Sequence, residues 1–252
     1  MYDIIIYVLL GLSVGYIGGY AGIGGGPFLV SFLVLFLGMS QLMAQGNILT
    51  MMLGPMSLLG VLSLYNYVKK LWNSIIVGVL AYCLFSYFGA IGAFYIGNTN
   101  LSSYFALLLI FIAGIQISTL LSKKNSSNHQ EVEHVSLLWI FILASITGTL
   151  GGLFGIGAGV LMVPILTILF KLKKEFARAL SLAILIPPVS YGAFIKYNTE
   201  LSINWQLVSI LFFSYFIANY FGTKKGSKAS KKVFNSIYSF ILISIAIIYL
   251  IK

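Results

Sequence analysis

Two glycine-rich segments with matching spacing hold the residues of this chain that are best placed to bind a solute. Residues 18–26 and 151–159 lie inside long apolar runs and begin 133 positions apart. Five or six glycines in nine residues do not suit the interior of a regular helix, because each costs about 1 kcal/mol relative to alanine. A bilayer tolerates broken backbone only where protein buries it or where it lines a wet cavity. The two breaks therefore predict the solute site of a secondary transporter.

The chemistry predicted at these breaks is anion binding. A half-helix that begins inside a membrane presents unpaired backbone N–H groups and the positive end of its dipole, and glycine lets an anion approach them closely. Pro27 suits the first turn of such a helix. An alternative stays open, since small residues also permit tight helix crossing. The candidate substrate-binding residues at the two breaks are Gly24, Gly25, Gly26, Gly157, Ala158 and Gly159.

Uncharged polar side chains after each break are further candidates for the site. Such donors suit an anion that must bind reversibly, although hydrogen bonds between helices explain them equally well. Two tyrosines recur at matching positions of the chain and could contribute hydroxyl groups, although a single tyrosine more often packs or anchors a helix at the interface. These six candidates are Gln45, Asn47, Thr50, Ser181, Tyr82 and Tyr215.

The composition determines which elements position these residues. Apolar residues make up 60% of the chain and charged residues 8%, and the mean hydropathy is +1.01. No charge occurs over 4–68 or 71–122, and about 20 apolar residues suffice to span a bilayer. These values predict a polytopic helical membrane protein rather than a soluble helical core. The net charge of +10 does not indicate nucleic-acid binding, because the lysines fall in loops.

An internal repeat organises the chain. The halves align without a gap at an offset of 133, which pairs Pro55 with Pro188, Trp72 with Trp205, and Tyr-Phe-Gly at 87–89 with the same tripeptide at 220–222. The prediction is an all-α membrane protein of two inverted repeats with 8–10 membrane segments. Each repeat is a glycine-broken helical hairpin followed by three transmembrane helices, the first of which covers 42–67 or 179–196. The predicted divisions are 1–121 for the first repeat, 122–135 for a polar linker and 136–252 for the second repeat.

Basic residues predict the orientation. The lysine-rich loops at 171–178 and 224–232, the pair Lys69–Lys70 and the linker are all expected in the cytoplasm. Both termini then lie outside a multi-pass plasma-membrane protein. The run 136–170 must enter and return on one side, because about 35 residues of helix at 1.5 Å each exceed the roughly 30 Å of hydrocarbon. Whether the broken runs are full spans or re-entrant hairpins stays open.

Other chemistries lack the residues they need. All five carboxylates lie in or beside loops, so an intramembrane proton relay is not expected. Both histidines fall in the linker, and Cys83 is the one cysteine of the chain. The sequence therefore predicts no catalytic residues, no metal site and no cofactor.

The glycine segments also resemble those of a known family. GYIGGYAGIGGG at 15–26, GTLGGLFGIGAG at 148–159 and Val-Pro-Ile-Leu at 163–166 are similar to motifs of the sulfite exporter TauE/SafE family of membrane transporters. The resemblance covers nearly the whole chain and implies transport of sulfite, sulfonates or other organosulfur acids. The family often has Thr-Ser-Leu in the second span, where this chain has Asn-Ile-Leu at 47–49 and Leu-Ser-Leu at 180–182.

The function predicted is secondary or facilitated transport of a small sulfur-containing anion by alternating access, in a lipid bilayer and without nucleic acid. The oligomeric state, the coupling ion and the direction of flux are left open. One alternative is a carrier of another small solute or of a cation. A second is a membrane subunit that scaffolds a partner and transports nothing.

Overall fold

The structure is a computed structural model that describes residues 2–21, 25–121, 132–157, 159–226 and 231–251. Its regular elements there are helices, beside one isolated β-bridge between Val132 and Leu172. The helices are α1 (Tyr2–Ala21), α2 (Gly26–Phe36), α3 (Gln41–Met51), α4 (Leu58–Leu62), α5 (Tyr65–Val68), α6 (Trp72–Ile96), α7 (Asn98–Leu121), α8 (Leu137–Phe154), α9 (Gly159–Ile168), α10 (Lys174–Ile184), α11 (Tyr191–Glu200), α12 (Trp205–Gly226) and α13 (Lys231–Ile251), with a 3₁₀ turn at Lys69–Leu71.

The chain is a multi-pass membrane protein. Four apolar segments of the described residues are long enough to cross a bilayer: Asp3–Tyr20, Tyr65–Ile96, Asn98–Ser118 and Leu137–Phe154. The all-helical membrane fold predicted from composition is confirmed. The linker expected at 122–135 falls largely outside the described residues.

Each glycine-rich break is followed by a helix too short to span. The helices α2 and α9 have 11 and 10 residues, or about 15 Å at 1.5 Å per residue, against about 30 Å of hydrocarbon. At the second break Gly155 ends α8 in the left-handed region, at φ 68°, and its N–H donates to the Gly151 carbonyl. A glycine is favoured there because it has no Cβ to clash. These lengths favour re-entrant half-helices over two full spans.

The span expected next in each repeat is also divided. Residues 42–67 form α3, α4 and α5, and residues 179–196 fall in α10 and α11. Pro55 and Pro187–Pro188 lie at the divisions, and a proline can neither donate a helical hydrogen bond nor fit against the preceding turn. The single helix expected here is thus replaced by two short pieces in the second repeat and three in the first.

Close crossing of long helices joins the two halves. The helix α1 packs on α12, and α8 packs on α6. A methyl group on Gly15 would lie 2.6 Å from the Tyr215 carbonyl oxygen, and one on Gly148 would lie 2.7 Å from that of Tyr82. These two contacts join matching positions of the repeat. Several glycines before the breaks therefore serve backbone-to-backbone crossing, the alternative left open by the sequence.

The helix directions support the predicted inverted repeat. Along α1 and α12, Gly11 meets Ser214 and Gly19 meets Asn219, so the two helices run the same way. In the same manner Gly148 and Gly152 of α8 meet Tyr82 and Ser86 of α6.

The start of α3 relates these two pairs of helices. Leu42 N–H donates to Asn98, just beyond α6, and Asn47 accepts from the N–H of Asn204, just before α12. The end of α6 and the start of α12 therefore share one end of the bundle. It follows that α1 and α8 run in opposite directions. The side of the membrane that each end faces stays a prediction.

Basic loops meet at the other end. Lys173 Nζ donates to the Glu133 carboxylate at 2.6 Å, and Lys70 Nζ lies 3.9 Å from the same carboxylate. The hydrogen bond and the charge of Lys173, helped by the charge of Lys70, lower the pKa of Glu133. Two of the lysine loops predicted to share the cytoplasmic side therefore share one end of the fold.

The crossing of α8 over α6 predicts opposite effects for two glycine substitutions. Gly148→Ala should destabilise the fold by about 1–3 kcal/mol, because the Tyr82 backbone cannot move aside as a side chain can. Gly114→Ala in α7 has open space around the new methyl group and should stabilise by up to about 1 kcal/mol through helix propensity. Thermal unfolding in detergent compares the two, and equal melting temperatures would contradict the crossing.

Candidate functional site

A pocket that is partly open to its surroundings lies where the two breaks meet α12. It contains Gly25 and Gly26 from the first break and Gly157 and Gly159 from the second. The other residues that line it are Gly18, Gly19, Met52, Met56, Ser57, Ile156, Leu182, Leu185, Tyr215, Asn219 and Thr223. Both repeats therefore contribute backbone to one cavity, as expected for a site at a repeat interface.

The breaks touch each other beside the pocket. A methyl group on Gly26 would lie 2.5 Å from the Ile156 carbonyl oxygen and 2.9 Å from that of Gly155. The start of α2 therefore rests on the backbone just before α9. Gly157 follows with φ 72°, and a side chain there would run into Met52. At Gly26 the obstacle is backbone, so a larger residue would block the contact, whereas at Gly157 it is the flexible end of Met52 and the positive φ is what favours glycine.

Three polar residues of α12 form one wall of the pocket. Tyr215, Asn219 and Thr223 are spaced by four residues and so share one helix face. The Tyr215 hydroxyl accepts from the Gly25 N–H and from Asn219 Nδ2 at 3.3 Å. Thr223 Oγ1 donates to the Asn219 carbonyl at 2.8 Å. Tyr215 thereby holds the start of α2, and the Asn219 amide lies beside it in the cavity wall, whereas the Thr223 hydroxyl donates its proton to the helix backbone.

The sequence candidates separate into three groups. Gly25, Gly26, Gly157, Gly159 and Tyr215 line the pocket. Gly24 and Ala158 lie outside the described residues. The candidates that do not line the pocket are Gln45, Asn47, Thr50, Ser181 and Tyr82.

Most residues of this last group have structural partners. Asn47 Nδ2 donates to the Met43 carbonyl, and its Oδ1 accepts from the N–H of Asn204. Thr50 Oγ1 donates to the Gly46 carbonyl. Gln45 Oε1 accepts from the Tyr197 hydroxyl at 2.9 Å. For these three the interhelical or local hydrogen bond, left open as an alternative, is what the structure contains.

Tyr82 and Ser181 are buried away from the pocket. Tyr82 packs with its hydroxyl over Gly151, where an alanine methyl would collide with it. Ser181 is fully buried, and its Oγ has no hydrogen-bond partner among the described residues. Tyr82 and Tyr215 occupy matching positions of the repeat, so only one member of the pair faces the cavity.

Sequence reasoning missed much of the α12 wall. Asn219 and Thr223 were not candidates, and neither were Ser57, Met52 and Met56. The spacing 215, 219 and 223 is the signal that could have found the first two, since it extends the tyrosine along one helix face. Nothing in the spacing points to Met52 or Met56, because an apolar residue beside a proline kink looks like ordinary packing.

The electrostatics of the pocket favour an anion. Its lining residues include no carboxylate, and no cluster of three or more histidine, cysteine or acidic residues occurs in the part of the chain that the structure describes. Lys224 and Lys225 end the same helix that supplies the wall. The pocket has no acid to hold a cation by charge, whereas backbone N–H groups, the Asn219 amide and the Tyr215 hydroxyl can donate to an anion.

The family model described as sulfite exporter TauE/SafE matches residues 7–249. The chain belongs to the sulfite exporter TauE/SafE family. It is therefore a transmembrane transporter by family, and the resemblance seen in the glycine segments is confirmed.

Curated relatives of this TauE/SafE chain carry transporter names. A "Probable membrane transporter protein MJ0441" of Methanocaldococcus jannaschii is 31% identical over 77% of this chain and 73% of its own length. A "Probable membrane transporter protein YunE" of Bacillus subtilis is 26% identical over 91% of this chain and 89% of its own length. No solved structure gives a significant match.

Proposed function

We propose that this TauE/SafE protein is a secondary transporter or facilitator of small sulfur-containing anions such as sulfite and sulfonates, and that it works by alternating access and without catalysis. The observation that carries the proposal is the pocket itself, where backbone from both repeats meets beside a polar helix face that bears no acid. The family name points to sulfite. The geometry points to a small anion.

Backbone groups at the breaks can supply much of the binding. The helix α2 begins at Gly26 with Gly25 as its N-cap, and no side chain caps it. The helix α9 begins at the matching residue, Gly159. Two helix starts in one cavity add their positive dipole ends, and a tetrahedral or pyramidal oxyanion can accept from several N–H groups at once.

Arg178 lies one helical turn from a residue of the pocket. It precedes Leu182 by four residues on α10, so both side chains share a face, and Leu182 lines the cavity. Arg178 Nε is buried without a hydrogen-bond partner, and no ion pair of Arg178 occurs among the described residues. A guanidinium with unused donors binds oxyanions well. We infer that Arg178 attracts the anion on its way to the breaks.

The proposed orientation places this approach in the cytoplasm. Lys70 and Lys173 lie at the end of the fold where α12 ends in Lys224 and Lys225. Positive residues concentrate on the cytoplasmic side of membrane proteins. The pocket wall runs toward this end through Asn219 and Thr223, so the cavity would be open to the cytoplasm.

Flux in proteoliposomes tests the proposal directly. Labelled sulfite should enter with saturation kinetics, and unlabelled sulfonates such as sulfoacetate should compete while chloride should not. Runs with and without a proton gradient would identify coupling. Folded protein that moves no sulfur anion would overturn the substrate and favour another solute, a cation or a scaffolding role.

Substitutions of Arg178 test whether this residue attracts the anion. Arg178→Gln should weaken sulfite uptake about ten- to a hundredfold at low concentration, since a hydrogen bond to a charged group contributes about 1.5–3 kcal/mol. Glutamine is the residue at the matching position of the first repeat, Gln45, so the fold should accept it. Arg178→Lys keeps the charge and should retain most of the uptake. Equal uptake in wild type and Arg178→Gln would remove Arg178 from the path.

Alanine substitutions at two glycines with positive φ distinguish the effect of backbone strain from the effect of blocking the pocket. Gly157 (φ 72°) and Gly38 (φ 64°) should each lose about 1–2 kcal/mol of stability on substitution by alanine. A methyl group at Gly38 meets nothing within 4 Å, whereas one at Gly157 collides with Met52. Only Gly157→Ala should therefore raise the sulfite concentration for half-maximal uptake. Equal uptake by the two variants would contradict a pocket at the second break.

A further inference from the structure

The helix α11 is held by two side chains, here named the α11 clamp: Ser86 bonds it to α6, and Tyr197 bonds it to α3 and α8. Ser86 Oγ accepts from the Ala193 N–H at 3.2 Å and lies 3.4 Å from the Val189 carbonyl oxygen. The Tyr197 hydroxyl donates to Gln45 Oε1 at 2.9 Å and lies 3.3 Å from the Gly152 carbonyl oxygen. Tyr197 is 0% exposed. The clamp thus holds α11 beside Gly152, at the start of the second glycine-rich segment.

In the alignment of the two repeats, α4 matches the start of α11, and α12 matches α6. Ser57 Oγ donates to the Leu182 carbonyl at 2.8 Å, and Ser190 Oγ donates to the Leu49 carbonyl at 2.9 Å. These are the same hydrogen bond at matching positions of the two halves. The residues that begin α4 and α11 are therefore anchored alike, one on the end of α10 and the other on the end of α3.

Beyond these anchors the halves differ. Asn219 occupies the position of Ser86, and Gly60 that of Ala193. Asn219 contacts Tyr215 and lines the pocket. A methyl group on Gly60 would instead face Thr223 at 3.7 Å. Thr223 lies one turn beyond Asn219, and Asn219 makes no hydrogen bond to α4 among the described residues, whereas Ser86 bonds α11.

We propose that α4–α5 (58–68) and α11 are paired gates of the transporter, and that the pocket closes when the start of α4 moves along α12 toward Asn219. Asn219 then takes the backbone at the start of α4, as Ser86 takes that of α11, while the α11 clamp releases. The inference rests on the proposed transport function and names how its site is opened and closed. Shifts of packed helices are an established form of switching.

The residue types fit this exchange. Asparagine is among the residues favoured for capping the first turn of a helix, and the side chain of Ser57 is unavailable because it bonds Leu182. Both gates adjoin prolines that already interrupt the helix, Pro55 and Pro188. Gly192 lets α11 touch the Cys83 carbonyl, whereas Leu59 stands at the matching position of α4. The state with α11 closed is therefore the better packed of the two.

Disulfide cross-linking in membranes tests the gates without any solute. In a Cys83→Ser background, Ser86→Cys with Ala193→Cys should cross-link readily, since these positions touch in the structure. The matching pair, Asn219→Cys with Gly60→Cys, should cross-link slowly. Adding Tyr197→Phe to the second pair should raise its rate about fivefold, the population change for one lost hydrogen bond of about 1 kcal/mol.

The control for the clamp is Tyr104→Phe, at a half-exposed tyrosine of α7, which should leave the cross-linking rate unchanged. An unchanged rate with Tyr197→Phe, in protein that elutes as a folded species, would overturn the paired gates. In the same vesicles, cross-linking of the first pair should abolish sulfite flux, and reduction should restore it. A rate that rises in protein without sulfite flux would retain the gates and reject the sulfur anion.

Discussion

Burial of broken backbone is the constraint on which the rest of this fold depends. A membrane leaves unpaired N–H and C=O groups no water to bind, so each glycine-rich break needs protein around it. Here the two breaks cover each other, with Gly26 resting against the Ile156 carbonyl, and Tyr215 accepts the N–H of Gly25. The two breaks therefore depend on each other, because each buries polar backbone of the other.

The same constraint explains why glycine extends so far before each break. Backbone contact between α1 and α12, and between α8 and α6, brings the helices next to the breaks close enough to cover them. The contacts of Gly15 and Gly148 fall at matching positions of the two repeats. Each long helix of one half thus crosses a long helix of the other. Removal of the crossing between α1 and α12 would expose polar backbone at the pocket, and removal of either crossing would loosen the bundle.

Composition and apolar length predicted the helical membrane fold, because apolar length and glycine cost are local properties. They also placed Gly25, Gly26 and Tyr215, which the structure brings to the pocket. They did not predict that the second span of each repeat is divided into shorter helices. A proline permits either a kink or a full division of the helix, and tertiary contacts decided for α3–α4 and α10–α11. Gln45 and Asn47 were equally ambiguous, since their amides suit a solute or a neighbouring helix, and here Tyr197 and Asn204 occupy them.

The pocket is not placed symmetrically between the two repeats, because matching backbone positions carry different side chains or surroundings. Tyr82 and Tyr215 hold matching positions, yet Tyr82 lies over Gly151 while Tyr215 faces the cavity. On the side of Tyr82, Tyr197 fills the space, whereas the matching residue of the first half is Leu64, which has no hydroxyl with which to bond a glutamine or a carbonyl. A solute that replaces the polar contacts around one of the two tyrosines would shift the conformational equilibrium toward closure at the other. A small difference in side chains is sufficient for this, because the two anchors, Ser57 on Leu182 and Ser190 on Leu49, are already equivalent.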